Sequence, residues 1–285
     1  MKRTYMKVVL LVLLGAFVLL LESCMRMRIS DTNAIETFKK QGLTLLLPTL
    51  KVGKRNLHYA KIGHDSLPTL FFVHGSPGSW DAFEAYLKDK DLRQKFRMIA
   101  IDRPGFGYSN FGNSMTLPAQ CVLIAQIIQQ ERNKAPFHLV GHSIGGPVIV
   151  QLAQNHSENY SSLSILAGSI SPFDEPKENW RYIFRYFPTR YLIPGAFRPS
   201  NDEILYFKKD LYELDKNYVS LTMPITFIHG DKDNFVTIKN VGYGEKKLSH
   251  NPNVHKIIIE GANHFIPWQH YEVIKKHLLT LKEKF

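Results

Sequence analysis

Residues 139–148, LVGHSIGGPV, set Ser143 among Gly141, Gly145 and Gly146. Neither a strand nor a helix gains from glycines packed so closely, because each one costs backbone entropy on folding. A sharp turn does gain. The run PFHLV reads as a strand and IGGPVIVQLAQNH as a helix, so one tight reversal joins them at Ser143. The residue at such an apex takes a strained backbone, and neighbours without side chains keep it free of clashes. Its hydroxyl then stands in the open at a helix N-terminus, whose unpaired N–H groups stabilise developing negative charge. The chemistry this suits is attack by a serine oxygen on an acyl carbonyl.

A nucleophile needs a rigid frame, and the chain is long enough to build one. It has 285 residues, 44% hydrophobic and 21% charged, which fits one large α/β domain with an insertion. Seven β-rich runs follow residue 50: LHYAKIG, TLFFVHG, FRMIAID, FHLVGHS, LSILAGS, ITFIHGD and KIIIEGA. TLFFV, MIAI, ILA and KIIIE are nearly continuous apolar segments, as strands buried on both faces of a parallel sheet must be. Helical spacing fills the intervals at about 79–92, 116–133, 144–156, 237–249 and 267–282. The alternation predicts a mostly parallel, doubly wound α/β sheet with its ligands beyond the carboxyl ends of the strands.

With the G-x-S-x-G turn Gly141-His142-Ser143-Ile144-Gly145 in that strand-to-helix setting, residues from about 50 to 285 resemble the α/β-hydrolase family. FFVHGSPGSW (71–80) resembles the family's oxyanion loop, and the resemblance implies the Ser76 and Ile144 N–H groups as the oxyanion donors. DRPGFGYS (102–109) is similar to the loop after the next strand, where Asp102 and the glycines shape turns. The family order of nucleophile, acid and histidine implies the remaining partners. ITFIHGDKDNFV (225–236) resembles the acid turn and implies Asp233, with Asp231 as the competing carboxylate. KIIIEGANHFIPW supplies the base at His264, singled out among twelve histidines by its place after the last strand. His74 and His142 read as turn and packing residues, and His229 carries no motif support. The reaction implied is cleavage of an ester or related acyl bond through an acyl-enzyme, with no metal or organic cofactor required. A C–C bond or amide hydrolase of the same fold, and a non-catalytic surface-anchored binding protein, are the alternatives.

Residues 48–170 and 223–285 are expected to form the core, and residues 171–222 resemble the helical cap that many family members insert between strands. In NWRYIFRYFPTRYLIPGAF, Trp180, Ile183, Phe184 and Phe187 recur at helical spacing and predict one apolar face. That face would pack on the core, line an acyl pocket or touch a membrane.

The first 23 residues are expected to be a signal or anchor segment and residues 24–47 a tether with a short helix. Lys2, Arg3 and Lys7 precede an apolar run from Val8 to Leu21, the pattern of a targeting segment. As a helix the run reaches about 21 Å, short of the roughly 30 Å of a bilayer core. Leu21-Glu22-Ser23-Cys24 resembles the lipobox of bacterial lipoproteins, with Glu22 where a small or apolar residue is usual. The expectation is an exported, membrane-associated lipoprotein anchored at Cys24, acting on a small-molecule or lipid-like acyl substrate. Only Cys121 would then remain as a thiol, inside the apolar stretch CVLIAQII. The formal charge of +11 comes from scattered lysines and arginines without a nucleic-acid-binding signature, so no nucleic-acid partner is expected.

Overall fold

The computed structural model of the chain describes residues 2–23 and 25–281; Cys24, the expected lipidation site, lies outside them. Eight strands form one sheet: β1 (Thr49–Val52), β2 (Arg55–Ile62), β3 (Thr69–Val73), β4 (Arg97–Ile101), β5 (Phe137–His142), β6 (Ser162–Leu166), β7 (Ile225–Gly230) and β8 (Val254–Ile259). Their spatial order is β1-β2-β4-β3-β5-β6-β7-β8. The pairs β1/β2 and β2/β4 are antiparallel, and every pair from β4/β3 to β7/β8 is parallel. From β3 the chain crosses to β4 on one side and then returns to β5 on the other. That reversal opens a crevice beyond the carboxyl ends of β3 and β5, where ligands of open α/β sheets bind. The chain has the mostly parallel, doubly wound α/β sheet expected from its alternating pattern.

Alternation along the strands divides the core into two layers. Phe71, Val73, Ile99, Ile101, Leu139 and Ile165 face one side, packed against α5 (Leu117–Glu131), α6 (Gly145–Asn155), α7 (Phe197–Leu214) and α8 (Lys239–Lys247). Leu70, Phe72, Met98, Ala100, Val140 and Leu166 face the other. There they meet α2 (Asp31–Lys39), α3 (Glu84–Lys88), α4 (Lys90–Lys95), α9 (Ile266–Gln269) and α10 (Tyr271–Thr280). Strands β3 to β7 are buried on both faces, which is why TLFFV and MIAI read as unbroken apolar runs. In contrast, β8 is an edge strand whose KIIIE run is partly exposed, with Ile258 open to solvent, and not buried on both faces as its sequence suggests.

Several elements differ from the helical periods. The expected helix at 79–92 is a 3-10 turn, Trp80–Phe83, followed by α3 and α4. Asp89 makes the break: its backbone is extended, and its carboxylate accepts from the Leu92 N–H at 2.9 Å as the N-cap of α4. The expected 267–282 helix is likewise divided at His270, whose backbone is non-helical. The sequence reading omitted β1, a four-residue strand joined to β2 through a two-residue turn at Gly53 and Lys54. Within the tether region α2 is capped by Ser30, and it buries Ala34 and Phe38 against the sheet.

The stretch 179–192 departs furthest. Trp180, Ile183, Phe184 and Phe187 do not form one helix face: Asn179–Phe184 and Thr189–Leu192 are short 3-10 turns. Pro188 and Pro194 interrupt the segment, and a proline disfavours helical backbone in the residue before it. The apolar side chains therefore point outward, with Trp180, Ile183 and Phe187 all exposed. Before the domain, α1 spans Lys2–Ser23 and exposes Val8 through Leu14. Among the described residues no helix is long and apolar enough to cross a membrane.

Candidate active site

Ser143 sits on the turn between β5 and α6 with φ of 55°, in the left-handed region. For a residue with a side chain this costs about 1–3 kcal/mol and persists only where the surroundings enforce it. They do so by close approach. A Cβ on Gly141 would lie 2.2 Å from the Gly145 carbonyl oxygen, and one on Gly145 would lie 2.2 Å from that of Val73. Only glycine lets β5 fold back against the start of α6 while α6 presses on the end of β3. The Ser143 N–H is spent on the Leu166 carbonyl at 2.9 Å, and the Ser143 carbonyl accepts from Gly146. Hydrogen bonds thus hold the turn on both sides of the serine.

The loop after β3 lies directly against this turn: a Cβ on Gly75 would come within 2.9 Å of the Ser143 Cβ. Ser76 follows, and its hydroxyl is buried without a hydrogen-bond partner among the described residues. Arg103 braces the loop. Its side chain donates from Nε to the His74 carbonyl and from Nη2 to the Gly75 carbonyl, each at 2.9 Å. Its own N–H donates to His74 Nε2 at 2.9 Å. The guanidinium is wholly buried and meets Glu203 of α7 through two oxygens, at 2.5 and 3.0 Å, with Gln120 at 2.8 Å. A buried charge without such partners would be prohibitively costly. Asp102 performs the turn-shaping task expected of it, accepting from the Trp80 and Tyr108 N–H groups and pairing with His58, each at 2.8 Å.

At the far side of the crevice, His264 Nδ1 lies 2.7 Å from Asp233 Oδ2, and both residues are buried. Asp233 stands in the loop after β7 and His264 in the loop after β8. The other Asp233 oxygen accepts the Phe235 and Val236 N–H groups at 2.9 and 2.8 Å. Burial favours the neutral acid, but hydrogen bonds from His229 and His264, with help from the Val236 N–H, outweigh it. The carboxyl is held well below the usual carboxylate range and stays ionised. Asp231 turns elsewhere, accepting the Gly261 N–H at 2.7 Å. Of the two competing acids, Asp233 is the one brought to the histidine.

His142 packs its ring 4.8 Å from that of His264 and makes a 3.1 Å contact from Nε2 to the His264 carbonyl. Burial, then the neighbouring His264, push its pKa down to about 3, so it remains neutral. It acts as the packing residue the sequence suggests. His229 is the residue the motif reading passed over: its Nε2 lies 2.8 Å from the Val236 carbonyl and 3.4 Å from Asp233. Its place on β7, four residues before Asp233, was the available signal. Phe235, Phe265 and Trp268 were also missed. Phe235 packs tilted and Phe265 edge-on against the His264 ring, Trp268 meets the His142 ring, and all three are exposed, giving the site an apolar rim.

Four loops after β3, β5, β7 and β8 therefore converge, although their residues lie as much as 188 positions apart in the sequence (76 to 264). Residues 68–192 match the family model described as alpha/beta hydrolase fold. Among curated proteins, the chain is 36% identical over 61 residues to epoxide hydrolase 1 of Caenorhabditis elegans, covering 21% of this chain and 15% of that one. It is 29% identical over 145 residues to the pimeloyl-acyl-carrier-protein methyl ester esterase of Aeromonas salmonicida, covering 48% and 52%. The chain thus spans about half the length, or less, of these curated relatives. Among solved structures, a membrane phospholipase A superposes with a TM-score of 0.66 at 18% identity, over 99% of this chain and 98% of that one. Sheet order, family match and superposition agree that this chain has the alpha/beta hydrolase fold.

Proposed function

We propose that the chain is a serine hydrolase that cleaves an ester or related acyl bond of a small or lipid-like substrate. The observation carrying this reading is the buried 2.7 Å pairing of His264 Nδ1 with Asp233, on the same crevice as a serine held at positive φ beside the β3 loop. With Nδ1–H committed to the carboxylate, His264 Nε2 is left as the basic nitrogen. It takes the proton of Ser143 Oγ as that oxygen bonds to the acyl carbon. The carbonyl becomes an oxyanion received by the Ser76 and Ile144 N–H groups; the Ser143 N–H, already bonded to Leu166, is not a donor for it. The imidazolium returns the proton to the departing alcohol, leaving the acyl-enzyme. Water then gives a proton to His264 as its oxygen attacks, and Ser143 regains that proton when the acid leaves. Asp233 stays ionised throughout and stabilises the charged imidazole.

The apolar rim of Phe235, Phe265 and Trp268 supports a substrate with an apolar acyl chain. A methyl ester esterase and a membrane phospholipase A, the relatives named above, are by name enzymes of ester bonds. Export and lipid attachment at Cys24 belong to the same proposal. They rest on the basic start, the apolar run and the Leu21-Glu22-Ser23-Cys24 pattern. Palmitate labelling that is lost in Cys24→Ser tests the anchor. For the chemistry, aryl esters of graded chain length are offered to the full chain in mild detergent, with Ser143→Ala as control. Turnover and fluorophosphonate capture that both vanish in the control support the reading; turnover retained by Ser143→Ala overturns it.

A further inference from the structure

The exposed apolar surface of residues 179–198 has no task in the reaction above. This stretch, NWRYIFRYFPTRYLIPGAFR, holds seven aromatic residues and four arginines and no acid. Its apolar side chains project into solvent: Phe187 is 83% exposed, Tyr186 64%, Ile183 62% and Trp180 52%. The arginines lie on the aromatic rings, with Arg181 4.6 Å from the Trp180 centroid, Arg185 5.8 Å from Tyr186 and Arg198 5.0 Å from Tyr191. Rings with guanidinium groups beside them suit the water–lipid boundary, where the ring enters the acyl layer and the cation stays at the headgroups.

A second feature says what covers this surface. Helix α1 packs beside the turn Thr189–Leu192, and the Ala196 N–H, one residue before α7, donates to the Met25 carbonyl at 2.9 Å. Val8 through Leu14 are exposed at seven successive positions, so α1 is apolar around its whole circumference. A protein partner would need one apolar stripe; a helix apolar on all sides matches lipid. Arg181 pairs with Glu178 and Arg190 with Asp202, and the positive charge of Arg185 remains on this face.

We infer that the face formed by Trp180, Ile183, Tyr186 and Phe187 is a membrane-contact surface that lies on an anionic bilayer, held there by α1 or, once the chain is cut before Cys24, by the lipid on Cys24 next to Met25, whose carbonyl accepts from the Ala196 N–H. It deepens the proposed function by holding the crevice at the lipid surface, yet it does not depend on turnover. The test places the full chain in phosphatidylcholine vesicles, with and without phosphatidylglycerol, whose acyl chains carry bromine. Trp80 is buried, so Trp180 and Trp268 are the tryptophans that lipid can quench. In a Trp268→Phe background, the expected result is quenching that is lost on adding Trp180→Phe, that deepens with phosphatidylglycerol, and that loses this deepening in Arg185→Glu. A nitroxide on Phe187→Cys reads the same contact at a second position and should report an oxygen-rich, lipid-like environment. Equal quenching in that background with and without Trp180→Phe, or a water-exposed nitroxide, overturns the inference. Close nitroxide–nitroxide contact between singly labelled chains would overturn it too, assigning the face to a second copy of the chain. An inactive but quenched protein would refute the hydrolase reading alone.

Discussion

Removing the Glu203 carboxylate tests how the crevice is braced. Arg103 is completely buried and Glu203 is 2% exposed, and two oxygens of one meet two nitrogens of the other. Glu203→Ala leaves the guanidinium with the Gln120, His74 and Gly75 oxygens but without a counter-charge. Breaking a buried pair from one side costs about 3–5 kcal/mol, because the surviving charge is stranded. Against a total stability of about 5–15 kcal/mol, that loss is large. Glu203→Gln keeps volume and an acceptor and should cost less, about 1.5–3 kcal/mol for a charge-assisted hydrogen bond. The effect reaches the chemistry because Arg103 also positions the carbonyls of His74 and Gly75, immediately before the Ser76 N–H. A barrier increase of about 1.4 kcal/mol from a displaced donor lowers kcat about tenfold. Urea denaturation of both variants, with ester hydrolysis under conditions where each remains folded, measures the two consequences. A Glu203→Ala protein within about 1 kcal/mol of the native chain would refute the reasoning, since the guanidinium would then have found water or another partner.

Further substitutions probe the remaining groups. Asp233→Asn should lower kcat by about 10⁴ while leaving substrate binding nearly unchanged, because the imidazole loses the carboxylate that fixes its tautomer; a loss under tenfold would speak for Asp231 or for no acid at all. Ser76→Ala removes a hydroxyl with no partner among the described residues but keeps the backbone N–H, so kcat should remain within about tenfold, and a loss beyond about a hundredfold would make the hydroxyl the oxyanion donor. Asp210, which accepts the Leu117 N–H, has its carboxyl pushed up to about 6, chiefly by burial. A folded-state value above the unfolded one means that the stability it contributes is complete below the unfolded value and lost as pH rises through about 6. Asp210→Asn should therefore gain on the native protein by up to about 3 kcal/mol at neutral pH, with the difference closing in acid; chemical denaturation across pH measures this, and a constant difference would contradict it.

The strands and most helices were legible because burial on both faces writes itself into the chain as apolar runs such as TLFFV and MIAI. The turn at Ser143 was legible for a related reason: Gly141 and Gly145 are required by backbone approach, a constraint that no residue with a Cβ satisfies. Local competition was not legible. Asp89 ended a helix that the apolar period continued, and Pro188 and Pro194 broke the spacing of Trp180, Ile183 and Phe187. Hydrophobic period reports which residues prefer to be buried, and it cannot report whether a surface exists to bury them.

By itself the sequence determined the alternation of strands and helices, the turn at Ser143 and the two carboxylates eligible to partner His264. Tertiary structure decided between Asp233 and Asp231, since only the packing of the loops after β7 and β8 sets one oxygen 2.7 Å from the imidazole. It also brought His229 to Asp233, Arg103 to Glu203 a hundred residues away, and the exposed cap aromatics beside α1. Those relations depend on distances between elements, and a one-dimensional pattern records only the preferences of each element for its own surroundings.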